Sequence, residues 1–185
     1  IRDRNNRSTM FKLSDGTTVQ ALAFKGMEGF HYDPNAPLEM DNTNLRTGIG
    51  TTAAGVFFAL NPNSPINNKS PYVKDCTTFS DPATDFGRFG GGGVGVFIDG
   101  GVHSEGAKSM VFDAFTQVNS DGAGFLLDKS AIAEIVSCFS YYAKWGYYSG
   151  GGARIRAVGG NNSYGDYGVI SSGFSSEETA RTARL

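Results

Sequence analysis

Two carboxylates, Asp75 and Asp113, stand at matched places in similar segments, Lys74-Asp75 and Phe112-Asp113. Carboxylates stacked one strand apart form the acid/base couple that sugar-cleaving enzymes use. The next matched place holds Ile135, so the pair has no third member. Like charges so close repel unless a cation bridges them, and solvated carboxylates at strand ends are the reading adopted. Asp121 and Asp128 flank Gly122 and Gly124, where calcium would find carboxylate and turn-carbonyl oxygens. Neither EF-hand spacing nor a Gly-rich nonapeptide array accompanies them, so they read as turn aspartates. His31 and His103 are the only histidines, with no zinc-type cluster and no Gly-x-Ser-x-Gly elbow. No catalytic residue, metal ligand or cofactor site is therefore assigned.

Other reactive or recognising groups are absorbed by ordinary structure. Cys76 and Cys138 sit among apolar residues and are expected as reduced, buried thiols two rungs apart, too distant for a disulfide. That usage fits assembly in a reducing cytosol. Trp145, Tyr147 and Tyr148 would make stacking platforms for a glycan, although at least one of each tyrosine pair's matched places should be core. Asn161-Asn162-Ser163 reads as a local Asx turn, since the matched places above are Phe139-Ser140-Tyr141 and no asparagine ladder runs through them. Arg154, Arg156 and Glu134 belong to a solvated strand face.

What positions these groups is a repeat of 22 residues. Blocks beginning at Met110, Ile132 and Arg154 align without a gap on Gly124-Phe125-Leu126, Gly146-Tyr147-Tyr148 and Gly168-Val169-Ile170. The same glycine signature recurs at wider spacing as Gly95-Val96-Phe97-Ile98 and Gly55-Val56-Phe57-Phe58. Each follows a partner strand: Val19–Phe24, Val73–Phe79, Val111–Phe115, Ala133–Phe139 and Ile155–Val158. Short runs of Val, Ile, Phe and Tyr alternating with Ser, Thr, Asp and Asn predict strands. With 26 glycines in 185 residues, helical repeats are excluded. Repeats this short cannot bury their own apolar faces and must stack. The fold expected is all-β: a parallel, right-handed β-helix of about five rungs, roughly 24 Å tall at one strand spacing per rung. Rung glycines Gly55, Gly95, Gly124, Gly146 and Gly168 are expected at tight turns or against the rung above. Insertions of about 23 and 9 residues in the first two rungs belong on the solvent face.

The chain has one sizeable core's worth of apolar residues, 39% hydrophobic, which predicts one domain over residues 8–174. Residues 1–7 and 175–185 are expected to be connecting segments to further parts of a longer chain, whose neighbours cover open strand edges at the ends of the stack. The 14 Phe and 8 Tyr are expected to stack as ladders, one column filled rung after rung. A net charge of −2 with no basic stripe argues against nucleic acid as a partner, and no apolar run suffices for a membrane span.

Several segments resemble the large virion structural proteins of T4-like tailed phages, cyanophage type, in the tail and baseplate group. They are Leu60–Asn68, Ser70–Val73, Asp113–Gln117, Ser120–Gly124, Ala133–Tyr142, Gly151–Ala157 and Gly160–Gly165, which together span roughly residues 8–174. The Gly90–Gly93 run departs from that pattern. The resemblance implies a non-enzymatic, β-helical scaffold in the virion, assembled in the host cytoplasm. Its partners would be other phage subunits, with self-association as a homotrimer an open alternative. Phe30, Tyr32, Leu38, Met40 and Leu45 in the first insertion are the candidate partner contacts. A tailspike-like polysaccharide depolymerase, or a host glycan-binding module, is the alternative on the same scaffold.

Overall fold

The computed structural model describes residues 2–3, 9–26, 56–61, 63–64, 66–79, 94–100, 109–119 and 122–172. Seventeen strands, β1 to β17 in chain order, carry the regular structure there, and no α-helix occurs among the described residues. Sheet I contains β3 (Thr18–Gln20), β6 (Tyr72–Lys74), β9 (Met110–Asp113), β12 (Ile132–Val136) and β15 (Arg154–Val158). Sheet II contains β1 (Arg2–Asp3), β4 (Ala23–Gly26), β7 (Thr77–Phe79), β10 (Thr116–Val118), β13 (Phe139–Tyr141) and β16 (Asn161–Ser163). Sheet III contains β2 (Thr9–Leu13), β5 (Val56–Leu60), β8 (Val94–Asp99), β11 (Ala123–Asp128), β14 (Trp145–Gly150) and β17 (Tyr167–Ser172).

Every strand pair is parallel, and within each sheet neighbours are three strands apart in sequence. The chain therefore visits sheets I, II and III in a fixed cycle. Each visit is a tier, and five full tiers run from β3 to β17, preceded by β1 and β2. The all-β, parallel character expected from the sequence is what the structure has. The strands at β1 and β2 lie outside the expected rungs, although Phe11 and Leu13 join the core as alternation in Met10–Leu13 would require.

Each expected partner strand is in fact two strands joined by a bend. The bend residue has positive φ in every tier: Ala21 (56°), Asp75 (51°), Ala114 (49°), Ser137 (51°) and Gly159 (68°). Four of these are not glycine, in a conformation costing L-residues about 1 kcal/mol or more. Continuity offsets that cost. The bend amides of Ala21, Asp75, Ala114 and Ser137 donate to carbonyls of the following tier at 3.1, 3.0, 3.0 and 2.8 Å, so the ladder turns the corner unbroken. In the second, third and fourth tiers the next residue is buried: Cys76, Phe115 and Cys138.

The 22-residue period holds in sheet III, where Ala123, Trp145 and Tyr167 are in register. In sheets I and II it holds only between the last two tiers. Between the third and fourth tiers, Met110 pairs with Ala133 and Thr116 with Phe139, a step of 23. The extra residue lies in the β10–β11 connection, 119–122, against 142–144 one tier later. There Asn119 is buried, its amide donating to the Ala123 carbonyl at 3.1 Å and to Gln117 Oε1 at 2.8 Å. The same corner holds the insertions 27–55 and 80–93.

One core runs through the tiers, with columns such as Val19, Val73, Phe112 and Ile135 in sheet I. Its aromatic rings meet mostly edge-on across sheets and not as face-to-face ladders. Phe112 and Phe125 cross at 81°, 5.2 Å apart, and Phe58 and Phe115 at 86°, 5.6 Å apart. Val96 interrupts the sheet III column between Phe58 and Phe125. Sheet III is apolar on its other face too, where Val94, Ala123 and Trp145 form a column beside Leu126 and Tyr148.

Candidate functional site

From the second tier onward, the middle residue of each sheet II strand points into the core and is polar. Thr78, Gln117, Ser140 and Asn162 are in register across β7, β10, β13 and β16. The first three are fully buried. The sheet II column thus reaches the interior with groups that want hydrogen bonds, directly opposite sheet III.

Sheet III answers with glycine. A Cβ at Gly95 would overlap Gln117 Oε1; one at Gly124 would lie 2.6 Å from Ser140 Oγ; one at Gly146 would lie 2.6 Å from Asn162 Nδ2. In every case the partner belongs to the following tier. These glycines therefore serve neither turns nor the tier above; they sit inside strands and admit the polar group of the tier that follows. Gly168 occupies the same column, yet a Cβ there would meet nothing within 4 Å. Gly55 lies outside the described residues.

The column is only partly satisfied. The Asn162 amide donates to the Gly168 carbonyl at 2.8 Å. Thr78 Oγ1, Gln117 Nε2, Asn119 Oδ1 and Ser140 Oγ are buried without a hydrogen-bond partner among the described residues. Each such group costs about 1–3 kcal/mol. Buried where no substrate can reach, the column does no chemistry on a ligand; it allows one register, because a one-residue slip would turn every polar group outward and every neighbour inward.

The matched places read for Asp75 and Asp113 are not in register. Lys74, not Asp75, is in register with Asp113, and Asp75 sits on the bend, accepting from Gln20 Nε2 at 3.2 Å. The cause is a one-residue slip in the expected alignment of β9. Sheet III does stack two carboxylates, Asp99 and Asp128, in adjacent tiers, with Lys129 Nζ 2.8 Å from Asp99 Oδ2. Sequence reading missed the pair because Asp128 was weighed with Asp121, which lies outside the described residues. The shared place at the end of Val94–Asp99 and Ala123–Asp128 was the available signal.

Trp145, Tyr147 and Tyr148 are all buried, which removes them as glycan platforms. Burial pushes the Tyr147 phenol up to about 12. Tyr142 and Tyr164 are exposed, parallel within 19° at 5.2 Å. Asn161–Ser163 forms strand β16 and not an Asx turn, although its register with Phe139–Tyr141 is the one expected. Arg156 Nη1 pairs with Glu134 Oε1 at 3.1 Å on the solvated face.

Cys76 and Cys138 are free, buried thiols separated in their column by Phe115. Their Sγ atoms donate to the Lys74 and Val136 carbonyls, each at 3.2 Å. Burial raises both, Cys138 to about 11. His31, His103, Gly90–Gly93 and the candidate contacts Phe30, Tyr32, Leu38, Met40 and Leu45 lie outside the described residues.

Among the described residues no group of three or more His, Cys, Asp or Glu side chains gathers as a metal site, and no helix is long and apolar enough to cross a membrane. No protein-family model, curated protein or solved structure matches the chain.

Proposed function

We propose that this chain is a right-handed parallel β-helix, one domain over residues 8–174, that serves as a non-enzymatic structural component of a tailed-phage virion. It acts as a rigid column in the tail or baseplate, assembled in the host cytoplasm and holding other virion subunits. The observation that carries the scaffold reading is the shared interior: glycine and polar columns in which each tier is completed by the next. A molecule built this way gains stiffness from continuous backbone ladders and presents its flanks to partners. Right-handedness follows the rule for parallel β crossovers. The virion assignment rests on the resemblance of Ala133–Tyr142 and the neighbouring segments. The segment containing Phe30, Tyr32, Leu38, Met40 and Leu45 supplies the subunit contacts, with homotrimer formation one form they could take.

One observation favours the alternative, a polysaccharide depolymerase: Asp99 and Asp128 stack in register. One experiment separates the two. The purified chain is incubated with host surface polysaccharide and, in parallel, with purified tail subunits. Stable association with the subunits and no new reducing ends is the expected result. Oligosaccharide release that disappears in an Asp99→Asn/Asp128→Asn variant would overturn the scaffold reading.

A further inference from the structure

The two ends of the stack differ. At the N-terminal end the inward residues Leu13, Val19 and Phe24 are buried. At the C-terminal end β15, β16 and β17 are the outermost strands of all three sheets, each paired on one side only among the described residues. Two of their inward positions are open: Ala157 is exposed below the buried Ile135, and Val169 is 69% exposed below the buried Tyr147. A lone peptide strand could cover one of these edges; only a coil of three strands covers all of them.

The glycine column specifies that coil further. Gly95, Gly124 and Gly146 each receive the polar side chain of the following tier, whereas Gly168 keeps the same opening with nothing in it. A bare glycine in a strand interior weakens the strand unless something approaches closely. Sheet I adds charge: Arg154 and Arg156 are exposed on β15, and Arg156 already pairs with a carboxylate one tier up.

We propose that the face formed by β15, β16 and β17 is a docking surface for a three-strand coil of another polypeptide, one that sets a small polar side chain on Gly168 and a carboxylate beside Arg154 and Arg156. A second copy of this chain does not fit. Face to face, it would set arginines against arginines; head to tail, its outermost sheet I strand β3 would bring Thr18, not a carboxylate, to Arg156.

The inference rests on the stacked-coil reading and not on the virion assignment. The test uses a surrogate coil, residues 132–153 repeated directly after Ser175, which keeps the period and brings a second copy of Ser140 to Gly168 and of Glu134 to Arg156. Hydrogen exchange is followed by mass spectrometry in the native and extended chains. In the extended chain, exchange across 154–172 is expected to slow by about tenfold or more. Gly168→Val should abolish that slowing in the extended chain and leave the native chain unchanged. No slowing, with β11 and β14 still protected, would overturn the docking surface while leaving the stacked fold intact. Loss of protection in β11 and β14 of the native chain would sink the fold reading instead. Slow exchange across 154–172 already present in the native monomer would show the face covered by the chain itself. Self-association in sedimentation equilibrium that Gly168→Val abolishes would show the occupant to be a second copy. Either result overturns the proposal.

Discussion

Gly146 and Gly168 occupy the same column one tier apart, in strands of the same length and spacing, and their surroundings are opposite. A Cβ on the first would overlap Asn162; a Cβ on the second would meet nothing within 4 Å. Phe125 and Val169 repeat the contrast in the adjacent column, one fully buried and the other mostly exposed. Local sequence does not account for the difference. What buries a residue in this molecule is the tier that follows, so each tier's stability is largely borrowed from its neighbour.

The largest effect that would sharpen this contrast comes from the apolar columns. Phe125→Ala should cost about 3–5 kcal/mol, since the ring meets Phe112, Phe115 and Tyr147. Val169→Ala should cost under about 0.5 kcal/mol. A substantial loss at Val169, read as a fall in melting temperature, would mean that the last tier is packed after all.

Next comes putting a side chain into each glycine. Gly146→Val should cost about 1–3 kcal/mol, because the added side chain would overlap Asn162, which bonds the Gly168 carbonyl. Gly168→Val should stay within about 0.5 kcal/mol, as surface changes do. Equal losses in urea denaturation would break the comparison.

Alkaline pH probes the interior from another side. The Cys138 thiol rises from 9.0 to about 11 on folding, so the folded state holds this proton more tightly than the unfolded one. Its contribution to stability is complete below pH 9 and is lost as pH climbs toward 11. Denaturation midpoints should fall across that window, and Cys138→Ala should flatten the fall. The Tyr147 loss would remain, between pH 10 and about 12. A native profile flat from pH 8 to 11 would contradict the burial of this column.

The smallest effect concerns the polar column. Ser140→Ala removes a buried hydroxyl that has no partner among the described residues. It should leave stability unchanged or raise it by up to about 1 kcal/mol. A loss larger than that, measured calorimetrically, would show the hydroxyl to be bonded.

Much of this architecture was legible in the sequence, for physical reasons that can be located. The Gly-plus-bulky landmarks mark sheet III, where glycine leaves space for the next tier and repeats every 22 residues over the last three tiers. The bends were hidden because Ala21, Asp75, Ala114 and Ser137 take positive φ without the glycine that announces it. Two strands then read as one. The single extra residue around Asn119 was equally silent, and it lengthens the step from the third tier to the fourth to 23 residues in sheets I and II. The polar column escaped because Thr78, Gln117, Ser140 and Asn162 differ in type and look like surface residues. Only the register shows that they share the interior.

In this molecule successive tiers lie directly on one another. Thr18, Tyr72, Val111, Glu134 and Arg156 form one column of sheet I, four strand steps long. Spin labels placed at Thr18 and Arg156, far apart in sequence and both exposed, report that spacing by pulsed electron resonance. Stacking predicts one narrow distribution centred at about 19 Å plus the reach of the labels. A broad distribution, or a centre displaced by more than one strand spacing, would contradict it.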